Sequence, residues 1–431
     1  MEISFMAIFS SLQTFLSLFL LIMLMNFFRI KWISFHSKNK KNFPPSPQKL
    51  PIIGNFHQLG SIPNQSLQVL SQKHGPFMLL HFGSIPMLDI AFAPYGESWR
   101  QLKSTVVVHL LSNTRVKSFR QVREKEISRM ICVLEESGGS LVDMGSLLAS
   151  LTNNIICRVA VGRAFDGSKV TDLLNKFLDM FRAFSVGSFV PWLSWVDRLS
   201  GLEGNAKKVA KEIDEFLEDI VEEHLDKERC VGDENEFQDL VDILLDVQRD
   251  NAMDFHIHRD TLKALILNMF AAGTDTTSTS LQWTISELIK HPKVMKKLQQ
   301  EVTQTAKGRS MIVEEDLEKM HYLKAVIKES LRDPEIWEES EEFRPERFLN
   351  NSIDYNGVSF EWLPFGGGRR KCPGIQFGVV LMELALANLV YKFDFMLPEN
   401  EELDMSEKYG IILHMKSPLM VTASPRVVGC M

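Results

Sequence analysis

The chain opens with an uncharged apolar segment. No Asp, Glu, Lys or Arg occurs between Glu2 and Arg29, and at helical rise residues 3–28 cover roughly 39 Å, enough to cross the hydrocarbon core of a bilayer with some tilt. A cleaved signal peptide is the alternative, but a basic start is missing, the run is too long, and no small-residue cleavage site follows. The pattern therefore predicts a transmembrane anchor at residues 3–28.

Basic residues and prolines follow this segment. Five Lys and Arg residues lie within 29–41, and the positive-inside rule then places the rest of the chain on the cytosolic side. Four prolines within 43–55 stiffen the backbone and prevent helix formation. We expect residues 29–55 to form a basic, Pro-rich linker and residues 56–431 to form one globular domain.

Helical periodicity dominates that domain. Apolar residues recur at helical spacing in several segments, and the almost wholly apolar segment 374–392 predicts a buried helix. The amphipathic segments are 115–135, 142–161, 170–183 and 205–227, and the longest helical candidate is 260–305. Strand signals occur as a pair in 77–91 and as a closing hairpin in 409–424. Together these patterns predict a mainly α fold with small β-sheets.

Composition and charge exclude several classes of protein. With 431 residues, 45% hydrophobic and 24% charged, the chain can bury a large core and is neither disordered nor fibrous. The formal net charge of −7 argues against a nucleic-acid-binding protein, which needs clustered Lys and Arg. Five cysteines without close spacing predict neither a disulfide framework nor a Cys-based zinc site.

The segment PFGGGRRKCPG at 364–374 carries the strongest chemical signal. Its three consecutive glycines let the backbone approach a flat ligand, and Cys372 precedes the predicted buried helix, where free amides and the helix dipole would stabilise a thiolate. A thiolate is a suitable axial ligand for haem iron, and Arg369 and Arg370 offer cations for haem carboxylates.

A buried, inert cysteine beside a glycine turn is the alternative for this segment. Five motif positions nevertheless fall within ten residues, and at about 5% usage per residue type a chance match somewhere in the chain is of order one in ten thousand. These positions are Phe365, Gly368, Arg370, Cys372 and Gly374.

On these residues the sequence resembles the cytochromes P450, the haem-thiolate monooxygenases, and is most similar to plant microsomal members of specialised metabolism. The resemblance covers nearly the whole chain. It implies the P450 fold, haem b as cofactor, Cys372 as the proximal iron ligand, and Arg370 paired with a haem propionate. It also implies that Trp99 and Lys103, in the segment WRQLK, reach the propionates from the other side.

A second family motif, AAGTDTT at 271–277, lies in the long helical candidate. An acid beside a hydroxyl in an apolar helix can relay protons to the reacting oxygen, and a glycine among threonines weakens the helix and leaves room for dioxygen and water. Taken alone, the segment is equally a helix end followed by a new N-cap. Beside the cysteine loop it favours a relay by Asp275 and Thr276, with Ala271 and Ala272 facing the haem.

Glu329 and Arg332 lie three residues apart on a predicted helix. Such pairs are usually solvated and contribute a few tenths of a kcal/mol. The resemblance implies instead a buried network that also includes Arg347. Because a buried charge without a partner is strongly destabilising, we expect this network either to form completely or to harm the fold.

Two junctions depart from the family pattern. Between Arg332 and Asp333 the family has several tens of residues, including strands that run out and back and form part of the substrate wall. Between Leu88 and Asp89 a helix and a long loop are missing. We expect an incomplete P450 fold, in which the ends of the lost strands lie close enough to join. Loss of two pocket walls would open the haem to water and favour uncoupled oxygen reduction.

The resemblance predicts a single-pass protein of the endoplasmic reticulum that takes electrons from NADPH–cytochrome P450 reductase and oxidises a lipophilic terpenoid or phenylpropanoid-like metabolite. The remaining pocket wall is expected from residues 265–272 and 411–413 and from four phenylalanines. These are Phe177, Phe181, Phe184 and Phe189. Two alternatives stay open: a non-oxidative member that catalyses dehydration or isomerisation, and a catalytically impaired truncated or splice-variant form that occupies the membrane or the reductase without turnover.

Overall fold

A computed structural model describes most of the chain after residue 90. The described residues are 69, 72–73, 90–91, 93, 95–165, 167–182, 194–229, 238–249, 257–332, 337, 342–349, 351, 353–355, 357, 359, 362–399, 401–408 and 412–426. The predicted anchor, the linker, the junction at 88/89 and nearly all of the predicted strand pair lie outside them. The chain divides into two compact units, 1–82 and 83–431, and all elements below belong to the second.

Helices form most of the described structure. They are α1 (Glu97–Thr105), α2 (Asn113–Ser118), α3 (Arg120–Glu136), α4 (Met144–Val161), α5 (Gly167–Arg182), α6 (Ser194–Leu199), α7 (Leu202–Arg229), α8 (Leu240–Arg249), α9 (Arg259–Lys290), α10 (Pro292–Ala306), α11 (His321–Ser330) and α12 (Ile375–Lys392). A π-helical turn (Val106–Leu110) continues α1, and single 3-10 turns span Glu314–Lys319, Pro345–Phe348 and Gly368–Arg370. The predicted mainly helical fold is confirmed.

The predicted amphipathic segments correspond to observed helices, with two differences. Segment 115–135 is two helices, α2 and α3, separated at Phe119. The single helix predicted over 260–305 is wrong, because α9 ends at Lys290 and α10 begins with Pro292 at its first position. Proline disfavours helical backbone at the preceding residue, and His291 has φ −117° and ψ 74°.

The core lies around α4, α9 and α12. Both α4 and α12 are long and apolar enough to span a membrane, but 61% and 72% of their residues are buried inside the protein, as is typical of core helices. Asp143 begins α4 by accepting a hydrogen bond from the Ser146 amide, and Gly162 ends it with φ +72°, a conformation that glycine adopts without steric cost. The buried helix predicted at 374–392 is therefore confirmed as α12.

One polar residue of α12 is fully buried. The Asn388 side chain accepts a hydrogen bond from the Ile312 amide at 3.0 Å, and donates to the carbonyls of Ile312 at 3.1 Å and Leu384 at 2.9 Å. It therefore fixes the segment before the Glu314–Lys319 turn to the core helix.

Asn388→Ala is expected to destabilise the protein by about 2 kcal/mol, because it leaves both backbone groups of Ile312 buried without this partner. Urea unfolding followed by tryptophan fluorescence measures the change. Asn205→Ala, at an exposed position of α7, is the matched control and should leave the free energy of unfolding nearly unchanged. Equal effects of the two substitutions would contradict this assignment.

A carboxyl group of α12 makes the stability of the fold depend on pH. Burial raises the pKa of Glu383 to about 7, and the charges of Lys324 and Lys328 offset only part of this shift. An unfolded glutamate titrates near pH 4.3, so between these values the folded chain binds more protons than the unfolded chain. The contribution of Glu383 to stability is therefore fully present below the lower value and is lost as the pH rises through 7.

Glu383→Gln is expected to remove about 3 kcal/mol of this pH dependence, as a shift of roughly 2.5 units implies. The free energy of unfolding of both proteins, measured at pH 5 and pH 8, gives the difference directly. If the wild type and the variant lose the same free energy of unfolding between pH 5 and pH 8, then Glu383 is not the responsible group.

Two small antiparallel sheets complete the described fold. The strands are β1 (Leu141–Asp143), β2 (Phe393–Met396), β3 (Glu407–Lys408), β4 (His414–Met415) and β5 (Met420–Pro425). In the first sheet β5 lies between β1 and β2, with Val142 opposite Val421 and Phe395 opposite Ala423. In the second, β3 pairs with β4.

The predicted closing hairpin in 409–424 is wrong in its pairing. Both strand segments exist, but β4 pairs with β3 and β5 pairs with β1 and β2. Pro418, which lies between β4 and β5, has no amide donor for a strand pairing, while the Lys416 amide bonds to the Ser406 carbonyl at 2.9 Å. The first half of the segment is thus held by residues that precede it.

Candidate functional site

The cysteine loop is closed by its own backbone. The Cys372 amide donates to the Phe365 carbonyl at 3.0 Å, and the turn between them needs left-handed backbone at Gly366 (φ +70°) and Gly368 (φ +67°), which glycine accepts. Gly374 is the N-cap of α12. Local sequence therefore fixes Cys372 directly before the start of the core helix.

The electrostatic environment of Cys372 differs from the prediction. Burial raises the pKa of its thiol, and the Gly374 amide together with Lys103 and Lys371 lowers it only in part. The amide at the helix terminus favours the thiolate, as the sequence predicted, but the loss of solvent outweighs this effect on the pKa of the thiol. A bound cation reverses this balance and deprotonates a coordinating thiol.

Helix α1 contacts the loop through Lys103. Its ammonium group donates to the carbonyls of Arg369 at 2.5 Å and Lys371 at 2.8 Å. It also lies 5.3 Å from the ring centroid of Trp99, one turn earlier on the same helix. Trp99 and Lys103, which the resemblance placed together, are thus both at the cysteine loop.

Arg370 completes this group. Its guanidinium stacks over the Trp99 ring at 4.6 Å and donates to the carbonyls of Ala93 at 2.5 Å and Ala91 at 3.3 Å. The neighbouring Arg369 lies over the Tyr95 ring at 5.0 Å. Three cations and two aromatic rings therefore gather beside the loop. This donor set fits a haem, with a thiol for the iron and cations for its carboxylates.

The second motif lies within one unbroken helix. α9 runs through 271–277, so the alternative of a helix end at this segment is excluded. Ala272 and Thr276 are exposed and lie one turn apart, whereas Ala271 packs against the core. Of the two alanines expected at the haem, only Ala272 is on the open face. The Thr276 hydroxyl donates to the Ala272 carbonyl at 2.7 Å.

Gly273 serves helix packing rather than the space for dioxygen that the sequence suggested. A Cβ atom at this position would lie 2.5 Å from Ile156 Cδ1 of α4, closer than real contacts allow. The glycine therefore lets α9 and α4 approach each other.

Helices α9 and α12 meet close to the two motifs. A Cβ atom at Gly378, in the first turn of α12, would lie 3.7 Å from the hydroxyl of Thr277. The helix that follows Cys372 and the helix that carries Asp275 and Thr276 are thus in contact. The fold brings together residues that lie about a hundred positions apart in the chain.

Asp275 has a partner that the sequence did not reveal. Its Oδ2 atom lies 3.2 Å from His414 Nε2, and the other ring nitrogen of His414 is 3.3 Å from the Thr279 hydroxyl. The side chains of Asp275 and His414 are each 26% exposed. A histidine in a closing strand carries no local signal of such a contact, because 135 residues separate it from Thr279.

The buried charge network joins residues on both sides of the junction at 332/333. Glu329 pairs with Arg332 at 2.7 Å and with Arg347 at 2.9 Å, and its side chain is fully buried. It also accepts the Arg344 amide at 3.0 Å. Both arginines donate to the Glu342 carbonyl, at 3.2 and 3.1 Å. The chain therefore keeps this network although Asp333 follows Arg332 directly.

A third cluster, outside the predicted sites, has a structural explanation. His224 Nδ1 faces the Ile220 carbonyl at 2.6 Å and Nε2 faces Asp239 Oδ2 at 2.9 Å, while Asp239 and Asp242 cap the start of α8. Burial disfavours the charged ring, but the Asp239 carboxylate outweighs it, so the pKa of His224 is raised. The cluster is an ion pair between α7 and the start of α8.

Most of the expected pocket wall is either core or outside the described residues. Leu265 and Phe270 are buried, and Phe270 packs against Phe216 of α7 with ring centroids 6.2 Å apart. Phe177 also packs against the core. Phe270 also lines a small apolar cavity with Phe216 and Leu267, and the assignment of these side chains to a substrate pocket stays a prediction. Phe184, Phe189, Ile411 and the side chain of Phe181 lie outside the described part of the chain.

Comparison with known proteins gives one consistent result. A family model described as Cytochrome P450 matches residues 88–332 and 331–422, in two pieces that meet at 331–332. Cytochrome P450 Tp4149 of Tanacetum parthenium is 53% identical over 494 residues, with 96% of this chain and 99% of that protein covered.

Two further relatives carry names that describe a reaction. A 3-beta-hydroxylase, also of Tanacetum parthenium, is 45% identical over 500 residues, with 97% of this chain and all of that protein covered. Norfluorocurarine oxidase of Strychnos sp is 41% identical over 473 residues, with 89% and 92% covered. Each alignment is longer than the 431 residues of this chain, so the relatives contain stretches that have no counterpart here.

Proposed function

The chain belongs to the cytochrome P450 family and is a haem-dependent monooxygenase, and on that basis we propose that it inserts one oxygen atom into a lipophilic plant metabolite. The second oxygen atom leaves as water, and NADPH supplies both electrons through a P450 reductase. The observation that carries this proposal is the closed loop that holds Cys372 beside Lys103 and Arg370. Relatives named for a hydroxylation and an oxidation support oxidation over dehydration or isomerisation.

Four side chains would hold the haem in this proposal. Cys372 supplies the sulfur for the iron, and Arg370 and Lys103 supply positive charge for the two propionates, with Trp99 as the surface on which Arg370 stacks. A thiolate-ligated haem supplies the activation of dioxygen when it is bound. Ala272 leaves room at the exposed face of α9 because it presents only a methyl group.

Asp275 and Thr276 move protons to this face. The Thr276 hydroxyl gives its hydrogen to the Ala272 carbonyl, so its oxygen lone pairs are free to accept a proton donor. The half-buried Asp275 carboxyl group reaches solvent and can be reprotonated after each transfer. The helix thus carries an acid and a hydroxyl side by side.

We propose further that the N-terminal segment anchors the protein in a membrane and that the globular domain lies in the cytosol. Residues 3–28 anchor the protein in the endoplasmic reticulum membrane, residues 29–55 form the linker, and residues 56–431 lie in the cytosol, where a reductase can reach them. The support is the uncharged run of 3–28 followed by five basic residues.

A second candidate is a catalytically impaired form of the enzyme. The break in the family match at 331–332 and its start at residue 88 coincide with the junctions at 332/333 and 88/89. Together with the length of the alignments, they support the loss of two internal segments that line the pocket in the family. Such a form would retain the cysteine loop and the network of Glu329, but would hold substrate weakly.

Turnover under isotopically labelled oxygen tests the proposal. The purified full chain, reconstituted with haem, a plant P450 reductase and NADPH, is incubated with a panel of terpenoids and phenylpropanoids under ¹⁸O₂. The proposed function predicts a product that carries one ¹⁸O atom. A product without ¹⁸O indicates the non-oxidative alternative, and haem-loaded protein without any product indicates the impaired form.

A further inference from the structure

Strand β4 is fastened to α9 by side chains on successive turns of the helix. The Trp283 indole donates to the Leu413 carbonyl at 2.9 Å, and the Ser286 hydroxyl lies 3.3 Å from Met415 Sδ. Both contacts are made by residues that flank His414. The strand is therefore held in one register along the helix, and the position of the His414 ring follows from it.

The His414 ring bridges two side chains of α9. Its Nε2 atom is 3.2 Å from Asp275 Oδ2 and its Nδ1 atom is 3.3 Å from Thr279 Oγ1. A carboxylate only accepts hydrogen bonds, so Nε2 carries the hydrogen toward Asp275, and in a neutral ring Nδ1 then accepts from the Thr279 hydroxyl. This arrangement fixes the ring and, through it, one oxygen of Asp275.

We propose that His414 is a positioning residue for Asp275, which holds Oδ2 of that carboxyl group and leaves Oδ1 to exchange protons beside Thr276. The proposal rests on the proposed function of the same site. A carboxyl group on a single methylene can turn through several orientations, and a proton relay works only while donor and acceptor are within hydrogen-bond reach. His414 therefore acts by limiting Asp275 to one orientation.

Loss of the contact between His414 and Asp275 is expected to change the product to which dioxygen is reduced. Reduction by one NADPH and one proton releases hydrogen peroxide, whereas two NADPH and two protons convert the same dioxygen into two waters. The second outcome requires well-timed proton delivery. A misplaced Asp275 is therefore expected to shift the products from water to peroxide, and this ratio can be measured without any organic substrate.

The first experiment measures NADPH, dioxygen and peroxide together in the full haem-loaded chain with a plant reductase. His414→Leu is expected to lower the fraction of dioxygen that becomes water by at least about threefold, as loss of a positioned proton donor implies. His414→Gln, which keeps an N–H donor, should restore part of it. Ser417→Ala is the matched control, because it removes a hydrogen bond of the turn that follows β4 and leaves the contacts of β4 with α9 in place.

Two outcomes of this experiment overturn the proposal. If Ser417→Ala and His414→Leu change the ratio equally, then His414 acts only by stabilising this part of the chain. If His414→Leu behaves as the wild type, or the wild type releases peroxide alone, then no positioned relay exists at Asp275.

The second experiment needs no haem chemistry. Urea unfolding of wild type, His414→Leu, Asp275→Asn and the double variant should show that the two changes are not additive, by about a threefold factor in the unfolding equilibrium constant. Additive effects on the free energy of unfolding would show that the side chains of His414 and Asp275 do not interact. A wild-type chain that takes up no thiolate-ligated haem would refute the proposed function, while this cycle would still report on His414 and Asp275.

Discussion

Cys372→Ser is expected to abolish the spectrum of thiolate-ligated haem and with it all monooxygenase activity. The sulfur of Cys372 is the only candidate iron ligand in the loop, and a serine hydroxyl does not replace a thiolate as a donor of electron density. Haem content and the reduced, CO-bound difference spectrum of purified variant and wild type measure the effect.

Cys132→Ser is the matched control for this substitution. Cys132 is exposed on α3, and its replacement should leave both the haem content and the spectrum unchanged. A thiolate-type spectrum that survives in Cys372→Ser would show that another residue binds the iron and would refute the assignment of the site.

Glu329→Ala is expected to lower the free energy of unfolding by about 3–5 kcal/mol, because it leaves the charges of Arg332 and Arg347 buried without their carboxylate. Their side chains are only 9% and 5% exposed. Since whole domains are stable by roughly 5–15 kcal/mol, the variant is expected to fold poorly and to accumulate at a low level. Urea unfolding of the soluble fraction gives the magnitude.

An exposed ion pair provides the control for the network. Glu215 of α7 lies 3.5 Å from Lys211, and both side chains are more than half exposed, so Glu215→Ala should change stability very little. Similar losses for Glu215→Ala and Glu329→Ala would mean that the buried network does not hold the chain together across the 332/333 junction.

Much of the fold could be predicted from the period of apolar residues. The segment 374–392 is apolar on all sides, so it had to be a core helix, and α12 is 72% buried. The end of α9 could also have been predicted, because Pro292 cannot follow a helical His291 without strain. The pairing of β4 with β3 could not, since strand partners far apart in the chain leave no local signal.

Part of the candidate site could likewise be predicted from the sequence, and part of it could not. The loop that presents Cys372 follows from glycines at fixed spacing, because glycine accepts the φ values near +70° at Gly366 and Gly368 without steric cost. The contact of His414 with Asp275 depends on how β4 lies along α9. The raised pKa of Cys372 depends on burial, which a motif does not contain.

We infer that this chain, with two pocket segments absent relative to the family, still assembles a haem site around Cys372. The reduced, CO-bound difference spectrum of the purified full chain tests it most directly. We predict the absorption band of thiolate-ligated haem, because the cysteine loop, the cations of Lys103 and Arg370 and the network of Glu329 are all formed. Absence of this band, or the band of a haem with a neutral ligand, would contradict it.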